Sequence, residues 1–263
     1  MRGALYLGLV VALSGTIAGS GFAQAGGGTI AVMDGSTQMM VVTAPDWSAV
    51  DGQLQRFERH GPGQAWRAVG DAIPVVVGKK GMGWGLGIVP IERLRGANDP
   101  VKQEGDGKSP AGVFGLGTAF GFAAQAPGEW KMPYLALTRS IDCVDDAQSS
   151  HYNTIADRST VTPDWNSAEH MRAVGEAYRW GVVVDQNAAP AKKNGGSCVF
   201  MHVWSGAGHG TAGCTAMPRE RIEAILGWLD PSKHPLLVQM PVADYLRLQK
   251  TLGLPKLSAA DSR

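Results

Sequence analysis

Cys198-Val-Phe-Met-His202-Val-Trp-Ser-Gly-Ala-Gly-His209-Gly-Thr-Ala-Gly213-Cys214-Thr-Ala-Met217 is the stretch whose reading decides both fold and chemistry. Ser197 to Trp204 reads as a strand, and alternation then puts Cys198, Phe200, His202 and Trp204 on one face. A glycine-rich loop follows and ends in a cysteine. Pro218-Arg-Glu-Arg-Ile-Glu-Ala-Ile-Leu-Gly-Trp-Leu229 reads as a helix, with Pro at its first position and Ile222, Ile225, Leu226 and Leu229 at i, i+3, i+4 and i+7. A sulfur just ahead of that helix is expected to have its thiol pKa lowered by the dipole. The residue types suggest Cys214 as nucleophile and His202 as its base. Small neighbours leave room for a substrate carbonyl and leave N–H groups free for an oxyanion. The chemistry implied is acyl transfer.

His209 competes for the role of base, but its Gly-flanked stretch offers no fixed position, whereas a strand does. The bland reading of His202 is a core histidine bonded to backbone. Thr211, His209, Thr215 and Arg219 surround the cysteine and are the candidate substrate contacts. Zinc on His202, His209 and Cys214 is disfavoured, since the spacing is not that of a structural site and no local carboxylate completes it. No metal and no cofactor are expected.

Outward from this stretch the chain is rich in turns. Its 36 Gly and 15 Pro separate short apolar runs, a pattern of strands rather than of a helical bundle. Strands are expected at Gln38 to Thr43, Gly52 to Arg59, Trp66 to Val69, Ile73 to Val77, Val182 to Asp185 and Leu236 to Met240. The glycine-dense segments Gly78 to Gly87 and Glu104 to Gly117 read as tight turns feeding strands, because the phosphate-loop order is absent. Asn166-Ser-Ala-Glu169 has capping-box spacing, and with Met171, Val174 and Tyr178 it predicts a helix to Arg179. A last helix is expected from Val242 to about Leu252, with a tail from Ser258 to Arg263.

Lys+Arg of 24 against Asp+Glu of 23 leaves no basic excess, so no nucleic-acid partner is suggested. Residues 1–25 have the layout of a secretory signal peptide, with cleavage after Ala23 or Ala25, and nothing later is apolar for long enough to span a bilayer. Three cysteines in an exported chain leave one over if two pair. Cys143 and Cys198 are the candidates, with three reduced thiols as the alternative.

The segment from His202 to Met217 resembles the catalytic motif of the YkuD-like L,D-transpeptidases, in which a His precedes a Ser/Thr-x-Gly-Cys signature. Ser109-Pro110-Ala-Gly112-Val-Phe114 is similar to a turn and strand of that domain. Tyr152-Asn153, Asp157 and the run from Gly196 to His202 look like one exported bacterial branch. The resemblance covers about Val75 to Met240. It implies a mainly β sandwich with a few helices, no metal, Cys214 as nucleophile, His202 as base and Gly213 beside the acyl pocket. It implies peptidoglycan stem peptides as donor and acceptor, in the periplasm or cell envelope. The domain is expected over 26–263, with 26–74 a β-rich part, 75–241 the core and 242–263 a helix and tail, acting as a monomer without stable membrane insertion. The family pattern usually has Arg two positions after the cysteine, where this chain has Ala216, so a replacement is sought in Arg219 or Arg221. An L,D-carboxypeptidase and a non-catalytic wall-binding protein are the alternatives. A papain-like protease fits less well, because the base precedes the nucleophile.

Overall fold

The computed structural model describes residues 31–257, so the expected leader and the tail from Ser258 lie outside the described residues. A single helical turn, α1 (Ala31–Asp34), leads into β1 (Gln38–Ala44), β2 (Asp51–Glu58) and β3 (Arg67–Val76). β1 is buried along its whole length, as a continuous apolar run between two neighbours should be. The two runs expected between Trp66 and Val77 are one strand, which Gly70 interrupts with φ +64° without ending it. The glycine-dense segments are turns only in part: β4 (Met82–Trp84) lies inside Gly78 to Gly87, and the long β5 (Ser109–Gly121) begins inside Glu104 to Gly117, where it pairs with β4 and with residues 236–239; β6 (Tyr134–Ala136) pairs with β5.

β7 (Ile141–Val144), β8 (Ile155–Asp157) and β9 (Ala168–His170) form a separate antiparallel sheet in the order β8-β7-β9. The chain returns to the main sheet through β10 (Trp180–Val184), β11 (Phe200–Val203), β12 (Thr215–Met217), α2 (Arg219–Trp228), β13 (Leu236–Pro241) and α3 (Val242–Leu252). The main sheet runs β10-β11-β12-β3-β2-β1-β13-β5, and β5 pairs again with β10. It therefore curls until it meets itself, and its halves face each other across the core. The architecture is mainly β, as expected.

Met39, Val41, Leu54, Val75, Val113, Val182, Met201 and Val238 fill that core, and Ile222, Ile225 and Leu226 of α2 pack against it. No helix among the described residues is long and apolar enough to cross a membrane.

The helix expected from Asn166 to Arg179 is absent. Ala168–His170 pairs with β7 instead, and Gly175, at φ +82°, admits only a 3-10 turn over Gly175–Tyr178. Asn166 is no N-cap: its own N–H donates to Asp146 Oδ2 at 2.8 Å. Met171 and Tyr178 are buried, but Val174 is exposed, so the apparent stripe never was one face.

Candidate active site

β11 and β12 run parallel, with Met201 opposite Thr215 and His202 opposite Ala216. Odd and even positions therefore take opposite faces. Val199, Met201, Val203 and Met217 turn into the main core, while Phe200 and Cys214 join a second cluster with Cys143, Met171, Tyr178 and Cys198. His202 and Cys214 thus lie on the same outer face, diagonal to each other across two hydrogen-bonded strands.

The Cys214 backbone is clamped. Ser109 Oγ donates to the Cys214 carbonyl at 2.8 Å while accepting from Gly78 N–H, and Thr211 Oγ1 donates to the same carbonyl at 2.6 Å. Thr211 Oγ1 also accepts from Gly213 N–H at 3.1 Å. Gly213 N–H is therefore spent on the turn, whereas Cys214 N–H has no acceptor among the described residues. A Cβ on Gly213 would meet Lys108 O at 3.1 Å and Lys102 Nζ at 3.6 Å.

The sulfur accepts from Phe200 N–H at 3.3 Å and donates its proton to Cys198 O at 3.6 Å. No hydrogen bond joins it to His202 among the described residues. His202 Nδ1 lies 2.8 Å from Val203 O; a carbonyl can only accept, so the proton sits on Nδ1 and Nε2 is left basic. Cys214 is only 6% exposed. Burial pushes its thiol up to about 12, with the Glu169 charge adding to it and the Phe200 N–H, Tyr178 and Lys102 opposing. Burial likewise lowers His202 to about 4.

The resting pair is therefore a neutral thiol and a neutral imidazole. The expected low-pKa thiolate is corrected on two counts. β12 intervenes between Cys214 and α2, whose dipole acts mainly within its first turn, and desolvation outweighs every opposing effect. Pro218 is also the N-cap rather than the first helical residue.

Other expected contacts scatter. His209 is exposed in the loop and does not line the cavity beside Cys214. Thr215 points to the opposite face and donates to Gln239 Oε1 in the core. Arg219 is exposed and paired with Glu223 at 2.9 Å, because the first turn of α2 faces solvent there. Cys143 and Cys198 do form a disulfide, with Cα atoms 5.9 Å apart, and Cys214 is free.

Sequence reasoning missed the site's far wall. A cavity of about 150 Å³ opens beside Cys214, lined by Lys102, Glu104, Asp145, Glu169, Ser197 and Gly213 among others. Glu169 stands opposite Cys143 in the small sheet and accepts from Tyr178 OH at 2.5 Å. The Tyr178 ring lies edge-on to both His202 and Phe200, at 5.2 and 5.5 Å. Glu104 accepts from Tyr152 OH and Ser197 Oγ, and Lys102 Nζ is 2.6 Å from Asp106.

A family model, the L,D-transpeptidase catalytic domain YkuD, matches residues 53–242. The chain belongs to that family. The match begins in β2 and so takes in more of the main sheet than the motifs alone suggest; it also spans the whole small sheet. It supports a peptidoglycan-modifying enzyme of the L,D-transpeptidase type. Comparisons with curated proteins and with solved structures give no match. Within the YkuD domain, Ala216 stands where the family commonly has Arg. Ala216 is fully buried directly beside His202, and neither Arg219 nor Arg221 lines the cavity. Lys102 is the cation on the cavity wall.

Proposed function

We propose that this YkuD domain is a cysteine acyltransferase that releases terminal D-alanine from peptidoglycan stem peptides and forms 3–3 cross-links. One observation carries the reading. The β11–β12 register sets an imidazole with a free Nε2 and a lone free thiol on one face, and the thiol lines a cavity. His202 Nε2 takes the thiol proton as Sγ attacks the carbonyl of the third stem residue. Cys214 N–H donates to the developing oxyanion; one such donor is typically worth about 10²–10³ in rate. D-Alanine leaves with the proton from His202, and the thioester is opened by an amine of a neighbouring stem. Attack by water at the same thioester would make the enzyme an L,D-carboxypeptidase.

In this reading residues 1–25 are a cleaved leader, and residues 26–263 work as one domain and a monomer in the periplasm or cell envelope. Burial of the thiol favours a second reading, a wall-binding relic without turnover. Incubation with disaccharide tetrapeptide separates the two. Mass spectrometry should show D-alanine release, an acyl adduct on Cys214 and cross-linked dimer, all absent in Cys214→Ala. A wild-type protein that forms no adduct and releases nothing leaves only the relic.

A further inference from the structure

A carbonyl attacked by Cys214 becomes an oxyanion, and the cavity beside the sulfur is poor in backbone donors for it. Gly213 N–H is spent on Thr211 Oγ1 and Phe200 N–H on the sulfur itself, which leaves Cys214 N–H. Glu104, Asp145 and Glu169 line the same cavity. A single amide facing three carboxylates stabilises a developing negative charge weakly.

Lys102 is the one cation on that wall among the described residues, and its side chain is 4% exposed. A lysine so deeply buried needs partners, and two are in place. Nζ donates to Asp106 Oδ1 at 2.6 Å and to Gln103 O at 2.8 Å. Asp106 is itself fixed, since it accepts from the N–H groups of Gln103 and Lys108. An ammonium carries three protons, so one N–H is left without an acceptor among the described residues. The side chain reaches the wall between two glycines. A Cβ on Gly196, where φ is +93°, would stand 3.1 Å from Lys102 Cε, and one on Gly213 would stand 3.6 Å from Nζ. The ammonium thus lies against the residue directly before Cys214, on the cavity that Cys214 also lines.

We propose that Lys102 is a catalytic residue of this site, donating its third N–H, together with Cys214 N–H, to the oxyanion formed on the attacked carbonyl. The assignment rests on the acyl-transfer reading and adds a second donor to it. Sγ bonds to the carbonyl carbon, the C–O π pair moves onto oxygen, and the thiol proton passes to His202 Nε2. The oxygen pair then re-forms the carbonyl, the C–N bond breaks, and D-alanine leaves with the proton from His202. Lys102 keeps its three protons throughout and contributes hydrogen bond and charge alone. The same oxyanion forms when the thioester is opened, so Lys102 serves both halves of the reaction.

The test compares disaccharide tetrapeptide with its analogue carrying sulfur in place of oxygen at the scissile carbonyl. Sulfur is the weaker acceptor, so the thio analogue gains little from either donor. Lys102→Met keeps an unbranched apolar stem and should slow D-alanine release from the oxygen substrate by about 10²–10³-fold. Release from the thio analogue should fall far less, so that the oxygen-to-sulfur rate ratio drops by about tenfold or more. That ratio cancels changes in folded fraction and in thiol acidity. Alkylation of Cys214 by iodoacetamide reads the thiol separately. If Lys102→Met slows alkylation and both substrates by one common factor, the ammonium acts on the sulfur and the oxyanion assignment is overturned. Release within about threefold of the parent rate overturns it as well. Should the single variant fail to fold with Asp106 left unpaired, Lys102→Met combined with Asp106→Asn is judged by the same ratio. A wild type that forms no adduct on Cys214 and releases no D-alanine defeats the acyl-transfer reading itself, and the role of Lys102 falls with it.

Discussion

The curled main sheet and the small β8-β7-β9 sheet contribute to the site in different ways. The main sheet supplies the proposed reacting atoms: Cys214 and His202 sit on or beside adjacent parallel strands, and their separation is fixed by the β11–β12 ladder. The small sheet supplies none of them, but brings Glu169 against the thiol and carries Cys143, whose disulfide ties it to the chain just before β11. Position is thus set by one sheet and charge by the other. The Cys214 backbone is held by the main sheet, while the Glu169 charge on its thiol comes from the small one.

Breaking the main-sheet half should have the largest effect. His202→Ala removes the imidazole on the Cys214 face and should lower D-alanine release by about 10²–10⁴-fold, the usual worth of a positioned general base. His209→Ala should stay within about twofold, since its exposed loop offers no fixed geometry. Steady-state rates on the tetrapeptide check both. The reverse ranking would mean that the ladder does not select the base.

Removing the staple comes next. The disulfide closes a separation of 55 residues, for which the chain-entropy relation gives about 4 kcal/mol. Cys143→Ala with Cys198→Ala should lose most of that in chemical denaturation. Amide exchange should then rise first in β7, β8 and β9, whose further ties to the rest of the chain include the Asn153 bonds to Cys198 N–H, Gln186 O and Asn187 O and the Tyr178 bond to Glu169. Equal loss of protection in β10 and β11 would show one cooperative unit and erase the distinction between the sheets.

A pH titration sharpens the comparison from the main-sheet side. His202 is held neutral by burial, with its pKa lowered from 6.5 to about 4. Below 6.5 the unfolded chain takes up a proton that the folded one refuses, so this site's contribution falls as pH drops from 6.5 to 4, by about 3 kcal/mol. His202→Gln should flatten that part of the stability curve. Cys214 works in the other direction: its raised pKa costs stability as pH climbs from 9 towards 12, because the unfolded thiol ionises first. Matching slopes in the parent and His202→Gln proteins would show that the imidazole is not buried neutral.

The same division explains what the sequence disclosed. Gln38 to Thr43 and Leu236 to Met240 were readable because strands buried in a sheet leave apolar runs bounded by turns, and Gly52 to Arg59 because Leu54 and Phe57 stand among polar residues between turn signals. Cys214 and His202 stand out as candidates because a nucleophile and base need particular residue types. Glu169 was not. Its strand is three residues long, and the spacing Asn166-Ser-Ala-Glu169 mimics a capping box. Only the pairing with β7, a contact distant in sequence, decides between strand and helix. Ser109 and Thr211 were within reach, since each lies in a segment singled out for other reasons, but a hydroxyl's acceptor cannot be read from spacing. Thiol acidity was misjudged for a related reason: a helix start is local, whereas burial by the other sheet is not.

The smallest expected effect tests where the site ends. Arg219 adjoins the nucleophile in sequence, yet it lies on exposed α2, bonded to Glu223 Oε1, which also accepts from Trp180 Nε1 at 2.7 Å. A surface pair of this kind is worth about 0.2–1 kcal/mol, so Arg219→Ala should shift stability by no more than that. Turnover should change by less than about twofold, because the substitution leaves the cavity walls and the β11–β12 ladder intact. A tenfold loss in kcat/KM with stability unchanged would extend the substrate path across β12 to the start of α2. The donor stem would then run along the main sheet, and the small sheet would cover only its reacting end.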